Sequence, residues 1–139
     1  MALKDFIDSK DVDFTKNLVD AGDIKKIEKE ISASFGDELT EYVIKYGYLA
    51  YKHIEMYGVN SKQLLESDLI KQTKYLHKYF PKTAPYIALE NIGDGCYAIV
   101  SMEDEVYEYS SESDNAKDTG LKLFAYILKR FEEAELSEK

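Results

Sequence analysis

The chain has 139 residues, the usual size of one compact domain and too short for two ordinary ones. Its apolar share of 45% is enough for one core, while 32% charged residues leave a solvated surface. Twenty-seven acids against eighteen bases give a net charge of −9, with Arg130 the single arginine; phosphate contacts need dense Lys and Arg, so a nucleic-acid-binding surface is not expected.

Phe14, Leu18 and Val19 recur at helical spacing and predict a short helix ending at Ala21-Gly22. A second helix opens at Asp23 on the stripe Ile24, Ile27, Ile31. A third shows Leu39, Tyr42, Val43 and Tyr46 at i, i+3, i+4, i+7, and Gly47 stops it in the left-handed conformation. The Tyr-, Ile- and Val-rich stretch from Tyr48 to Val59 reads as a strand. Ser67 or Asp68 then caps a helix with the stripe Leu69, Thr73, Leu76, Phe80, which Pro81 ends. Strands follow over Tyr86–Asn91 and Cys96–Met102, joined at Gly93-Asp94-Gly95, where an Asp-Gly pair suits a tight hairpin. Another strand covers Glu105–Tyr109, and a long helix is predicted from Asn115 to about Glu135.

This order predicts an α+β fold with an antiparallel sheet of about four strands and helices packed mainly on one side. One domain is expected over residues 1–139, with 1–22 as an N-terminal helical extension and 136–139 as a frayed tail. No repeat or Gly/Pro-rich linker divides it.

The motif Ile24-x-x-Ile27-Glu28-x-x-Ile31, then Glu38-Leu39-x-x-Tyr42-Val43, Lys45-Tyr46-Gly47 and Glu55-Met56-Tyr57-Gly58-Val59 resembles the core signature of the SUKH superfamily. Asn91-x-Gly93-Asp94-Gly95-Cys96-Tyr97 and Val106-Tyr107-x-Tyr109 are similar to its glycine hairpin and following strand. The resemblance runs from Ile24 to Phe131 and lies in the order of the motifs more than in any one of them. It departs at the missing proline before Leu39 and in the lack of tryptophan. It implies a sheet partly wrapped by helices with a surface that recognises protein partners: toxins for the bacterial immunity members, endogenous partners for the fungal cell-wall regulators. The resemblance carries no catalytic constellation to this chain.

The residues themselves show no catalytic motif either. Cys96 alternates with Ala98 and Val100 as one face of a strand does, and a lone cysteine makes no disulfide or thiolate cluster. That usage fits a reducing compartment, and Met1 to Phe6 lacks a secretory layout, so a cytoplasmic location without membrane association is expected. His53 and His77 have no metal-ligand spacing, and the Asp114–Gly120 stretch fails as a calcium loop at Ala116 and Ala125. Neither a cofactor nor a metal is expected.

The charge pattern points to a partner instead. Glu103, Asp104, Glu105, Glu108, Glu112 and Asp114 lie together without an intervening base, beside Tyr107 and Tyr109. If Val106 faces the core, strand alternation sends both tyrosines outward beside Glu105. Glu103, Asp104, Glu105, Tyr107, Glu108, Tyr109 and Glu112 then form an acidic, aromatic docking surface for a basic protein, and with the resemblance this implies a toxin, of which a nuclease is the natural kind. A regulatory scaffold is the alternative. Lys71, Lys74 and Lys78 lie opposite the apolar stripe of their helix and read as an ordinary solvated face. The oligomeric state is open.

Overall fold

The structure, a computed structural model, describes residues 2–15, 19–59 and 68–137. Helix α1 (Leu3–Ser9) leads into the short strand β1 (Asp13–Phe14), then α2 (Ala21–Ile31) and α3 (Asp37–Lys45). The hairpin β2 (Leu49–Tyr51) and β3 (Ile54–Met56) precedes α4 (Leu69–Tyr79) and a 3₁₀ turn at Pro81–Thr83. Strands β4 (Ile87–Gly93), β5 (Cys96–Val100), β6 (Glu105–Ser110) and β7 (Asn115–Lys122) follow, and α5 (Leu123–Ser137) closes the fold. Two antiparallel sheets result, β1-β2-β3 and β4-β5-β6-β7, so the α+β expectation holds with a second, smaller sheet added. None of the described helices is long and apolar enough to cross a membrane.

Local chemistry explains most boundaries. Asp20 accepts from the Asp23 amide while Asp23 returns a bond to the Asp20 amide, a reciprocal cap that starts α2. Asp68 accepts from the Ile70 and Lys71 amides and starts α4. The β4–β5 turn has φ of 54° at Asp94 and 78° at Gly95, the two positive values a two-residue hairpin needs. Gly47, at φ 74°, donates to the Tyr42 carbonyl and ends α3 as expected. Here the Tyr-Gly motifs meet: a Cβ on Gly58 would lie 2.1 Å from the Gly47 carbonyl oxygen, and Val59 donates to that same oxygen. Only hydrogen fits.

One core joins the elements. Leu39, Tyr42 and Val43 of α3 are fully buried with Leu49, Met56, Leu69, Ile87, Leu89, Ile99, Val106, Ile127 and Phe131. Phe6, Tyr51 and Phe131 form an aromatic triangle with centroids 5.1–5.9 Å apart, which locks α1 and β2 onto α5. The Tyr57 amide donates to the Leu89 carbonyl and connects the two sheets.

Four sequence expectations are corrected. The first helix is α1, built on Leu3, Phe6 and Ile7; Phe14 instead pairs with Leu49 in β1, and Leu18 lies outside the described residues. The strand expected over Tyr48–Val59 is a hairpin, turning at Lys52-His53 with Lys52 at φ 54°. The final helix starts at Leu123 rather than Asn115, because residues 115–122 pair with β6 and carry no apolar stripe. At its far end the helix runs to Ser137. Helices also cover both faces of the larger sheet: Glu108 lines a groove with Tyr126 and Arg130 of α5, while its neighbour Tyr109 stacks on Phe80 beyond α4.

Candidate functional site

Strand β6 carries the acidic, tyrosine-bearing segment, and its two covered faces sort those side chains. Val106 is buried, as the alternation argument requires. Tyr109 is buried too, at 1% exposure, which corrects the expectation that it points outward. The reason is the second helical layer: its ring meets Phe80 at 5.7 Å, and its hydroxyl donates to Asp114. Burial, with that hydrogen bond and the carboxylate charge, pushes the Tyr109 phenol up to about 12. The same bond, helped by Lys82, holds Asp114 below its usual range.

Asp104 also turns inward. It is 5% exposed, and its carboxylate accepts from the amides of Glu38 and Leu39 at 2.9 and 3.0 Å, capping α3 from a distant turn. Gly36 makes the approach possible, since a Cβ there would meet the Asp104 carboxylate at 2.5 Å. Glu38 in turn accepts from the Phe124 amide at the start of α5. The remaining candidates separate. Glu112 lies in the β6–β7 turn, at the far end of β6 from Glu103 and Glu105, and Glu108 points to the α5 side.

What stays together is a smaller group around Tyr107. This partly buried ring packs on Tyr86 at 5.2 Å, and the β6–β7 register sets Asp118 directly opposite. Desolvation, followed by the negative charges of Glu105 and Asp118, the Tyr86 phenol and Glu103, raises the Tyr107 phenol above its usual range. Among the described residues no Lys or Arg forms an ion pair with Glu103, Glu105 or Asp118. The site is thus a tyrosine pair with an acidic rim, in which Lys122 stands in register opposite Glu105 without forming an ion pair. Tyr86 and Asp118 were missed from sequence. Asp118 was hidden by the helix reading of β7, although Gly120, at φ 78° in a bulged strand, was the available signal.

Other candidate chemistry stays dispersed. Cys96 is half-buried on β5, and His77 Nε2 donates to the Tyr86 carbonyl at 2.7 Å. His53 lines an open cleft of about 450 Å³ with Glu55, Tyr57, Gln72 and Asn91. Glu55 there accepts from the Tyr48 hydroxyl, and the described lining includes no serine or cysteine nucleophile. No group of three or more His, Cys, Asp or Glu among the described residues is placed to hold a metal ion.

A family model described as SUKH_5, SMI1-KNR4 cell-wall, matches residues 3–132. No curated protein matches the chain.

Proposed function

Because the chain belongs to the SMI1-KNR4 family of the SUKH superfamily, whose members serve toxin-immunity or cell-wall regulatory roles, we propose that it is a non-enzymatic immunity protein acting on a basic toxin. The observation that carries this reading is the Tyr107–Tyr86 pair with its rim of Glu103, Glu105 and Asp118. A lysine or arginine from the partner meets carboxylates that have no competing internal ion pair, and the ring supplies contact area at low entropic cost. The net charge of −9 draws such a partner in. A nuclease toxin fits best, because the lysines and arginines it uses for nucleic acid are the groups the rim would cover. Blocking that surface requires no chemistry. The cytoplasm, where Cys96 stays reduced, is the proposed place of action.

The test is a titration of the chain with the product of the gene that neighbours its own. Tight binding that weakens with salt, and slower association for Glu105→Lys, support the reading; binding indifferent to both removes it. The cell-wall description of the matching family supports a second reading, a regulatory scaffold for endogenous partners. It predicts stable complexes in cells whose genome carries no toxin beside this gene.

A further inference from the structure

The outer face of α4 is rich in lysine and tyrosine in a chain whose net charge is −9. Leu69, Thr73 and Leu76 bury its inner stripe. Opposite them, Lys71, Tyr75, Lys78 and Tyr79 fall at i, i+4, i+7 and i+8, one continuous solvent stripe. Tyr75 is 45% exposed and Tyr79 57%, yet their rings touch with centroids 5.0 Å apart. Lys78 lies over the Tyr79 ring at 5.2 Å. Lys74 and Lys82 flank the stripe, and no acid occurs between Leu69 and Leu89 in a chain that has twenty-seven.

An ordinary solvated helix face accounts for the lysines, and the helix dipole favours His77 and Lys78 in the last turn. Neither accounts for two large rings left side by side in water. The first of those rings is also backed from beneath. Tyr75 backs on Phe80 at 6.3 Å and Phe80 on Tyr109 at 5.7 Å, so Tyr75 stands on the core and loses little freedom on binding, with Tyr79 leaning on it. Lys74 pairs with Glu30 and Lys82 with Asp114, but the side chains in both pairs are about half exposed or more, so both can exchange for an incoming carboxylate at little cost.

The geometry points to a second docking surface: the Lys71–Tyr75–Lys78–Tyr79 face of α4 binds an acidic, flexible polypeptide segment. Its lysines select negative charge and its tyrosines take apolar side chains. A polypeptide fits better than a nucleic acid. The face is one helix of eleven residues, about 16 Å long. With these lysines set aside, the rest of the chain is still more negative than −9, so a longer polyphosphate would run onto repelling surface. This surface has the opposite sign to the Tyr107 site and stands independently of it.

The test is backbone NMR of the full chain titrated with a Glu-rich peptide carrying phenylalanine, and in parallel with oligothymidylate. Peptide-induced shifts confined to residues 69–83 and weakened by salt are expected. Lys71→Glu with Lys78→Glu, and separately Tyr75→Ser with Tyr79→Ser, should each weaken binding roughly tenfold or more, with an unchanged circular dichroism spectrum. No shifts, shifts elsewhere, or full affinity in either double variant would overturn the proposal. So would tighter binding of oligothymidylate to the same residues, which would make this a nucleic-acid surface.

Discussion

Asp104 in the β5–β6 turn holds Leu39 at the start of α3 through a 3.0 Å bond from the Leu39 amide to its carboxylate, with the Glu38 amide on the other oxygen. Asp104→Ala leaves both amides without that acceptor and should cost about 2–3 kcal/mol by denaturant titration. Asp104→Gly separates cap from backbone. It relieves the positive φ of 66° but loses the same bonds, so it should be destabilised nearly as much. A Gly variant as stable as the parent would show that the bonds contribute nothing.

The one arginine serves one buried acid. Glu90, 1% exposed, accepts from Arg130 Nε and from an Arg130 terminal nitrogen at 2.6 Å, and from the Tyr126 hydroxyl at 2.8 Å. Arg130→Met strands the carboxylate and should cost about 3–5 kcal/mol, whereas Arg130→Met with Glu90→Leu should recover most of the loss. The double-mutant cycle, read by thermal or urea unfolding, measures the coupling.

Gly58→Ala drives a methyl group into the Gly47 carbonyl and the Tyr48 backbone. Neither neighbour is a movable side-chain end, so we expect about 3 kcal/mol of destabilisation or no folded product. Gly93→Ala is the control: space around it is open, and only its φ of 108° opposes the change.

The buried phenols make an alkaline prediction. Tyr109 is pushed up to about 12, and desolvation raises Tyr42, Tyr48, Tyr57 and Tyr126 as well. A raised folded value means the neutral form is favoured in the native state. That stabilisation is complete below the unfolded value of 10.0 and is lost as pH climbs through the folded one. A late tyrosinate absorbance phase should therefore coincide with loss of helical circular dichroism; ionisation of every phenol with the fold intact would contradict this. At the acid end, Asp20 and Asp114 have lowered values, so their contribution is present above 3.8 and fades as pH falls through the folded values.

Two neighbouring tyrosines separate site from scaffold. Tyr109→Ala removes a ring packed on Phe80 and should cost about 3–5 kcal/mol. Tyr107→Ser should cost less stability, because the ring is only partly buried against the core, and on the proposed reading should act mainly by speeding dissociation of the partner. Equal loss of stability in both would place Tyr107 in the scaffold too.

The stripes of α3 and α4 and the Asp94-Gly95 turn were legible because period and turn chemistry are local. The β2–β3 turn was not, since Lys52-His53 holds none of the usual turn residues and Lys52 adopts its φ of 54° only under the tertiary fold. Strand β7 shows the same limit: Asn115 to Gly120 offers only Ala116 as an apolar side chain, and an edge strand tolerates that where an inner one would not. At the site, clustered charge located the segment around Tyr107 but not its orientation. The inward turn of Tyr109 depends on Phe80, and that of Asp104 on amides 65 and 66 positions away.

The Asp104–α3 and Glu38–α5 bonds join in series, so the course of the β5–β6 loop is pinned from beneath, while Glu103 and Glu105 hold it through backbone bonds to Ser101 and not through their side chains. Positions 103 and 105 can then accept new side chains without redirecting the loop between them. Such an arrangement lets the outward surface of the loop vary by small steps, each leaving the architecture intact.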